Sequence, residues 1–324
     1  VLTQTSWIKK MGPLGKGNDY YQRLKSFFEK YEDHPAIEIA QDLTDDGFAY
    51  DAPPGFVLQL GPLPELKMDS VPQYFINRAG GIEKLEEFRS ALKNLSEESN
   101  FLNYFLTETD YLKEIIDSTI KGFDATRITN WLNDFFGYKG DEFHVIFAPA
   151  MFPGGGYGAS KIIGNNKIVF QVIRGESLSQ DKPFFCTPQS LVELTFHEFG
   201  HSFINPAFEA KNDLMEELGL VDLFNPVESK MRKMAYGSFE IFFNELHVRA
   251  MTIIAMEDYL ESPSDTRKLL DIEKGQGFYL IDFTYNKLKE YRDSRNLYPD
   301  FKVYLPDLIN SYSKYKNGLI ELAE

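Results

Sequence analysis

The segment 191–201 contains the pattern H-E-x-x-H, with His197, Glu198 and His201 at its fixed positions. Its apolar spacing predicts a helix, and residues four positions apart project from the same helix face. Two imidazoles on one face can share a metal ion, typically zinc. Glu198 is offset enough to miss that metal and still reach a water beside it, which suits a general base. The spacing therefore predicts two metal ligands and a base, the combination typical of a zinc hydrolase.

The competing interpretation is a helix whose histidines make hydrogen bonds within the core. The chain has only five histidines, so this spacing around a glutamate is rarely expected by chance. Thr187 and Pro188 predict an N-cap and a first helical residue, and Asn205-Pro206 predicts the stop. Titratable groups in so apolar a helix need a partner, and a divalent cation would satisfy three of them at once.

Composition narrows the class of protein further. The 324 residues are 43% hydrophobic and 15% aromatic, which excludes a disordered chain and fits a packed globular enzyme. The net charge of -15 argues against nucleic acid or an anionic membrane as the main partner. No apolar run approaches the roughly 20 residues of a membrane span, so we expect no transmembrane segment. A single cysteine, Cys186, excludes an internal disulfide.

The apolar periodicity predicts an α+β fold with a largely helical N-terminal region. Helical spacing covers residues 20–31, 82–95, 100–121 and 126–136, and residues 56–60 are strand-like. Near residues 137–140 the sequence changes from helix-like apolar spacing to β-branched and aromatic runs. We therefore predict two regions, 1–137 largely helical and 138–324 catalytic.

A small mixed sheet is predicted just before the H-E-x-x-H helix. Residues 142–149 and 167–174 are β-branched and aromatic runs bounded by turn residues. Residues 157–172 are the candidate edge on which an extended substrate would pair through its backbone. Helices are predicted again at 226–260, 275–291 and 306–322, so the C-terminal part is expected to be helical.

A catalytic zinc usually takes three protein ligands and leaves a fourth position for water. A third histidine in the extended motif would need Gly at Ile204 and His at Ala207, so that arrangement is excluded. Glu245 lies in a very apolar helical segment, where an acid should be paired or bound to metal. It is the predicted third ligand, and Glu240 is the runner-up.

Arg249 lies one turn after Glu245, on the same helix face. It could orient Glu245 at the metal or simply neutralise it. A buried Glu245–Arg249 ion pair without any metal is therefore the alternative interpretation of this segment.

The pattern resembles the gluzincins, zinc metallopeptidases in which a glutamate from a second helix joins H-E-x-x-H. Asn244-Glu245 is similar to the Asn-Glu pair of the thermolysin-like branch, although Arg249-Ala250 replaces the Ser/Ala-Asp found there. The motif at 195–203, the Gly-Phe-Ala-Tyr-Asp-Ala-Pro run at 47–53, and Glu245 with Arg249-Ala250 together resemble the bacterial family called domain of unknown function 4932. This resemblance spans most of the chain and implies a zincin-like fold and an exported bacterial protein.

The chain begins at Val1 rather than methionine, so we expect an N-terminal piece to have been removed. A cleaved export signal is one candidate, which would place the protein in the periplasm, outside the cell or on a lipid anchor. Trimming for other reasons would leave the same sequence.

The predicted function is a zinc-dependent metallopeptidase that acts on a peptide or protein substrate. His197, His201 and Glu245 would bind Zn²⁺, and Glu198 would serve as general base. An oxyanion donor or supporting residue is also needed, and the candidates are Arg249, Tyr236, His247 and Tyr157. His247 faces roughly 200° away from Glu245 around the helix, which counts against it.

Two alternatives use the same residues. One is a non-catalytic protein that binds peptide or glycan and retains a metal site. The other is a metal-dependent hydrolase of a non-peptide amide. The sequence does not indicate an oligomeric state.

Overall fold

A computed structural model describes residues 1–6, 19–151, 156–174, 177–178, 183–184, 187–260 and 265–321. The chain packs into two compact units, 1–123 with 142–191 and 124–141 with 192–324. Each unit contains two separate stretches of the sequence. The domain boundary predicted after residue 137 stays a prediction. Cys186 lies outside the described residues. None of the described helices combines the length and apolarity that a membrane span requires.

The first unit consists of helices followed by a small sheet. A 3-10 turn at Leu2–Gln4 precedes the helices α1 (Asp19–Glu29), α2 (Pro35–Asp45), α3 (Ala52–Gln59), α4 (Gln73–Ala79), α5 (Ile82–Ser99), α6 (Phe101–Thr107) and α7 (Thr109–Thr119). The helices predicted at 20–31 and 82–95 are confirmed as α1 and α5. The helix predicted at 100–121 is present as two, because α6 ends before Glu108.

The strand predicted at 56–60 is wrong, because these residues lie in and just after helix α3. Pro53 lies in the first turn of α3, where its fixed φ favours a helix. Phe56 is fully buried in a cluster with Phe48 and Phe88. Tertiary packing and the proline therefore outweigh the β propensity of this run.

The sheet is mixed, as predicted. Strand β1 (Glu142–Ala148) runs parallel to β3 (Asn166–Arg174), which is central, and β2 (Gly156–Ile163) is antiparallel to β3. A separate two-stranded ribbon pairs β4 (Ser177–Leu178) with β5 (Pro183–Phe184). With helices on either side in sequence, this sheet makes the fold α+β.

The predicted substrate edge at 157–172 is two strands rather than one. Of these two strands, β2 lies at an edge of the sheet, whereas β3 is paired on both sides. The side chain of Gln59 donates to the carbonyl oxygen of Ser160 on β2 at 2.9 Å, so α3 already occupies one backbone acceptor of this strand. Pairing of an extended substrate on β2 stays a prediction.

The second unit is helical in the residues that the structure describes. Its helices are α8 (Ala125–Phe136), α9 (Pro188–Glu209, whose first turn falls in the first unit), α10 (Asn212–Glu217), α11 (Glu228–Lys233), α12 (Phe239–Leu260), α13 (Thr266–Gln276), α14 (Ile281–Asp293) and α15 (Phe301–Glu321), with a 3-10 turn at Leu220–Leu223. The helical region predicted at 226–260 is present as α11 and α12. Helix α13 was not predicted.

The predicted stop at Asn205-Pro206 is wrong, because α9 continues through Pro206 to Glu209. Ala207 and Phe208 after the proline are both buried, and Phe208 contacts the ring of Phe243 at 5.1 Å between centroids. Their packing outweighs the backbone hydrogen bond that Pro206 cannot donate.

Aromatic packing fixes α9 against its neighbours in the second unit. Phe203 of α9 stacks on Phe136 of α8 with centroids 4.4 Å apart and an interplanar angle of 7°. Phe208, near the end of α9, packs on Phe243 of α12. These contacts set α9 beside α12, the helix predicted to carry the third ligand.

Candidate metal centre

Helix α9 begins as its sequence predicts. The hydroxyl oxygen of Thr187 accepts a hydrogen bond from the backbone N–H of Ser190 at 3.1 Å, and Pro188 is the first helical residue. Within this helix, His197 and His201 project one turn apart from the same face because they are four residues apart.

Gly200 of α9 faces the side chains of Met251 and Val248 on α12. A Cβ on Gly200 would lie 2.3 Å from Cε of Met251 and 3.8 Å from Cγ1 of Val248. A larger residue at position 200 would therefore require the end of the Met251 side chain to move. The next residue, His201, lies within reach of the side chains on α12.

Three side chains converge at this point. The Nε2 atoms of His197 and His201 are 3.3 Å apart, and Oε1 of Glu245 lies 3.2 Å from the Nε2 of His201 and 3.7 Å from that of His197. The side chains are 12 to 22% exposed. Among the described residues, these three form the group of potential ligands that could hold one metal ion.

The donor set fits zinc. Two imidazole nitrogens and a carboxylate oxygen are ligands that zinc takes in catalytic sites, at bond lengths that place tetrahedral donors about 3.3 Å apart. The three observed separations of 3.2, 3.3 and 3.7 Å cluster around that value.

The charges of His201 and Glu245 stabilise each other. Burial lowers the pKa of His201, but the hydrogen bond and charge of Glu245 outweigh it and raise that pKa to about 9. Burial raises the pKa of Glu245, but both histidines outweigh it and hold that pKa well below its ordinary value. The centre therefore keeps Glu245 anionic and stabilises positive charge next to it.

His201 and Glu245 also make contacts on the side that faces away from the other donor atoms. The Nδ1 atom of His201 lies 3.1 Å from Oδ1 of Asn205, one turn further along α9. In the neutral imidazole with its proton on Nδ1, Nε2 would present a lone pair to a metal ion. The two oxygens of Glu245 also have different partners. Oε2 accepts a hydrogen bond from Nε of Arg249 at 3.0 Å, and Oε1 faces the histidines.

The ion pair between Arg249 and Glu245 is thus present, as the alternative interpretation proposed. It coexists with the three converging donors and occupies only one oxygen of Glu245. Arg249 has further partners in Tyr236, Glu273 and Gln276, and its guanidinium lies 4.5 Å from the ring centre of Phe278.

The two remaining glutamates differ in position. Glu198 is partly exposed, and its charge contributes to the raised pKa of His201, so it lies within electrostatic reach of the triad. Glu240 is exposed in the first turn of α12 and lines a cavity of about 200 Å³ with Asn205 and Asn244. Glu240 is not in the converging group, so the geometry favours Glu245 as third ligand.

The four candidates for an oxyanion donor or supporting residue differ in their contacts and their distance along the chain from the three converging side chains. The hydroxyl of Tyr236 accepts from Nη2 of Arg249 at 3.0 Å, which connects both to Glu245. Both nitrogens of the fully buried His247 are engaged elsewhere, with the carbonyl of Phe243 at 2.7 Å and the hydroxyl of Tyr312 at 3.1 Å. Tyr157 lies in β2 of the first unit, and its role stays a prediction.

Sequence reasoning missed three residues that contact Arg249 or His201. Glu273 and Gln276 lie on α13, a helix of low apolar content that periodicity did not reveal. Asn205 was interpreted only as part of a helix stop. Its spacing of four residues from His201 is a signal that could have identified it as a partner for the imidazole.

The chain belongs to the family described as Domain of unknown function (DUF4932), whose model matches residues 9–311. The match covers all the residues of the centre and confirms the resemblance stated from the motifs. Searches among curated proteins and among solved structures found no match.

Proposed function

We propose that this protein is a zinc-dependent metallopeptidase. The observation that carries the proposal is the convergence of His197, His201 and Glu245, with donor atoms all within 4.8 Å of one another. The position of Glu198 beside this group supplies the base that hydrolysis requires. A zinc ion held by the three ligands would act as a Lewis acid toward a water molecule and the scissile carbonyl.

Side chains of the protein would carry out the proton transfers and stabilise the developing negative charge. Glu198 takes a proton from the attacking water and delivers it to the leaving amine. Glu245 contributes a negative charge and is held by Arg249. Tyr236 accepts from Arg249, so its own hydroxyl hydrogen is free to donate to the carbonyl oxygen as negative charge develops there.

Burial raises the pKa of Tyr236, and the charge of Glu245 raises it further, although Arg249 opposes both. The hydroxyl therefore keeps its proton at neutral pH and can act as a donor. This assignment makes Tyr236 the favoured oxyanion donor among the four candidates.

A combined metal and activity assay tests the proposed function. The purified protein is assayed for zinc content and for cleavage of a fluorogenic peptide library, with and without a chelator. We expect one zinc per chain and cleavage that the chelator abolishes and added zinc restores. Stoichiometric zinc with no cleavage of any peptide would refute the peptidase and favour a binding protein or a hydrolase of another amide.

A further inference from the structure

Arg249 lies at the centre of a hydrogen-bond network that the sequence motifs do not predict. All three guanidinium nitrogens are engaged: Nε with Glu245 at 3.0 Å, Nη1 with Glu273 at 2.8 Å, and Nη2 with the hydroxyl of Tyr236 at 3.0 Å. Nη1 also reaches the side-chain oxygen of Gln276 at 3.3 Å. Since the guanidinium is planar, fixing its two terminal nitrogens fixes the direction of Nε.

The direction of Nε matters because it selects one oxygen of Glu245. Nε holds Oε2, and Oε1 is thereby turned toward the two imidazoles. A spacing of four residues does not by itself produce this geometry, since arginine is long and has many rotamers. The side chain of Arg249 is 17% exposed and needs partners beyond its own helix to be held in one conformation.

Helix α13 supplies those partners. Glu273 and Gln276 lie one turn apart on α13 and meet the same nitrogen of Arg249. The side chain of Glu273 is also only 17% exposed, so little solvent screening weakens its ion pair with Arg249. Phe278, just after α13, packs on the guanidinium face with 4.5 Å between the charged carbon and the ring centre.

Glu273 also changes how charge is shared. Arg249 carries one positive charge and pairs with two carboxylates, Glu245 and Glu273. The single positive charge of Arg249 therefore offsets two negative charges. The electrostatic potential at the imidazoles is more negative than it would be beside an isolated Glu245–Arg249 pair.

We propose that Glu273 is a positioning residue of the metal centre. It acts through Arg249, holding Glu245 in the orientation of a ligand and leaving the negative charge of Glu245 less offset. The inference rests on the proposed zinc site but not on peptide hydrolysis. Loss of Glu273 would loosen Arg249, free Oε2 of Glu245 and weaken metal binding without removing any ligand. Partners of this kind typically change metal affinity by about 10 to 100-fold.

The test compares Glu273→Gln with a matched control, Asp271→Asn. Asp271 lies on the same helix and pairs with Arg267 and Lys274, so its substitution removes one carboxylate without touching Arg249. Zinc affinity is measured by chelator competition on the full chain, and the visible absorption of the Co²⁺-substituted protein reports ligand geometry. Circular dichroism and thermal unfolding show whether each variant is folded.

We expect Glu273→Gln to weaken zinc binding about 10-fold or more and to alter the Co²⁺ spectrum, whereas Asp271→Asn matches the wild type. If the protein also cleaves peptides, kcat should fall with KM little changed. Glu273→Asp, which keeps the charge on a shorter side chain, should recover part of the affinity. Wild-type affinity and spectrum in a folded Glu273→Gln protein would overturn the proposal, even if peptide cleavage is observed.

Failure of the two proposals is distinguishable. A protein that binds zinc in a Glu273-dependent way but cleaves no peptide would refute the proposed function and leave the positioning role supported. A wild-type protein that binds neither zinc nor Co²⁺ would overturn both.

Discussion

At the scale of single residues, Glu198 and Glu245 are two carboxylates beside the same pair of imidazoles with different tasks. Glu245 faces them at 3.2 and 3.7 Å and is tied to Arg249. Glu198 follows His197 on α9 and is partly exposed. The proposed mechanism uses Glu245 as a ligand and Glu198 as a base, and substitution separates these roles.

Glu198→Gln should keep zinc and lose hydrolysis, because the amide has nearly the same shape but cannot take a proton. We expect kcat to fall by about 10² to 10⁴-fold, the usual contribution of a general base. Metal analysis and peptide cleavage are measured on the same sample. Glu209→Gln, an exposed position at the end of α9, is the control. Undiminished turnover in Glu198→Gln would exclude the assigned role.

Glu245→Ala should lower zinc content, because it removes one of three ligands and leaves Arg249 without its closest partner on α12. Glu240→Ala should bind zinc as the wild type does, since Glu240 is exposed and outside the converging group. Elemental analysis after dialysis measures both. The opposite pattern, with full zinc in Glu245→Ala and loss in Glu240→Ala, would make Glu240 the ligand.

Local chemistry explains which of these residues the sequence could reveal. The spacing of His197 and His201 on one helix identifies them as candidate ligands, and Glu245 stands out because an acid in an apolar segment needs a partner. Glu273 gives no such signal, since its contact with Arg249 depends on how α13 packs against α12. The lining of a substrate pocket depends on tertiary packing in the same way.

At the scale of elements, α9 and α12 contact each other where Gly200 faces the side chain of Met251, next to the candidate ligands. Gly200→Val should force Met251 to move and destabilise the protein by about 1 to 3 kcal/mol, the usual cost of overpacking. Zinc affinity should fall with it, because His201 is the next residue. Urea unfolding and chelator competition measure the two effects.

Met251→Ala provides the matched comparison for Gly200→Val. It leaves a cavity that a side chain at position 200 can fill, so the double variant should be less destabilised than the sum of the two single variants. Strict additivity would show that the two helices do not meet as described.

Helix boundaries show how far local sequence determines an element. The N-cap of α9 at Thr187 and the strands β1 and β3 were predictable from turn chemistry and β-branched runs. The continuation of α9 through Pro206 was not, because it depends on the burial of Phe208 against Phe243. Helix α3 was mistaken for a strand because its prolines favour a helix start that apolar periodicity alone does not detect.

At the scale of the whole molecule, zinc should stabilise the folded chain. A ligand that binds only the native state adds RT ln(1 + [L]/Kd), about 4 kcal/mol at 1,000 times Kd. A chelator should therefore lower the midpoint of thermal unfolding by several degrees, and added zinc should restore it. Glu198→Gln should show the same shift, whereas His201→Ala should show little or none. An equal shift in His201→Ala would indicate that zinc acts at another place.

Net charge and composition carry less information at this scale than the motif does. The charge of -15 argues against nucleic acid as a partner but says little about a local cleft. Family membership over residues 9–311 extends the resemblance to most of the chain and assigns no activity.

Anomalous diffraction at the zinc edge from crystals of the zinc-loaded protein tests the proposed metal centre most directly. We predict one strong peak at about 2.0 to 2.2 Å from the Nε2 atoms of His197 and His201 and from a carboxylate oxygen of Glu245. A peak bound by other residues, or no peak between these three side chains at full zinc occupancy, would contradict the proposed metal site.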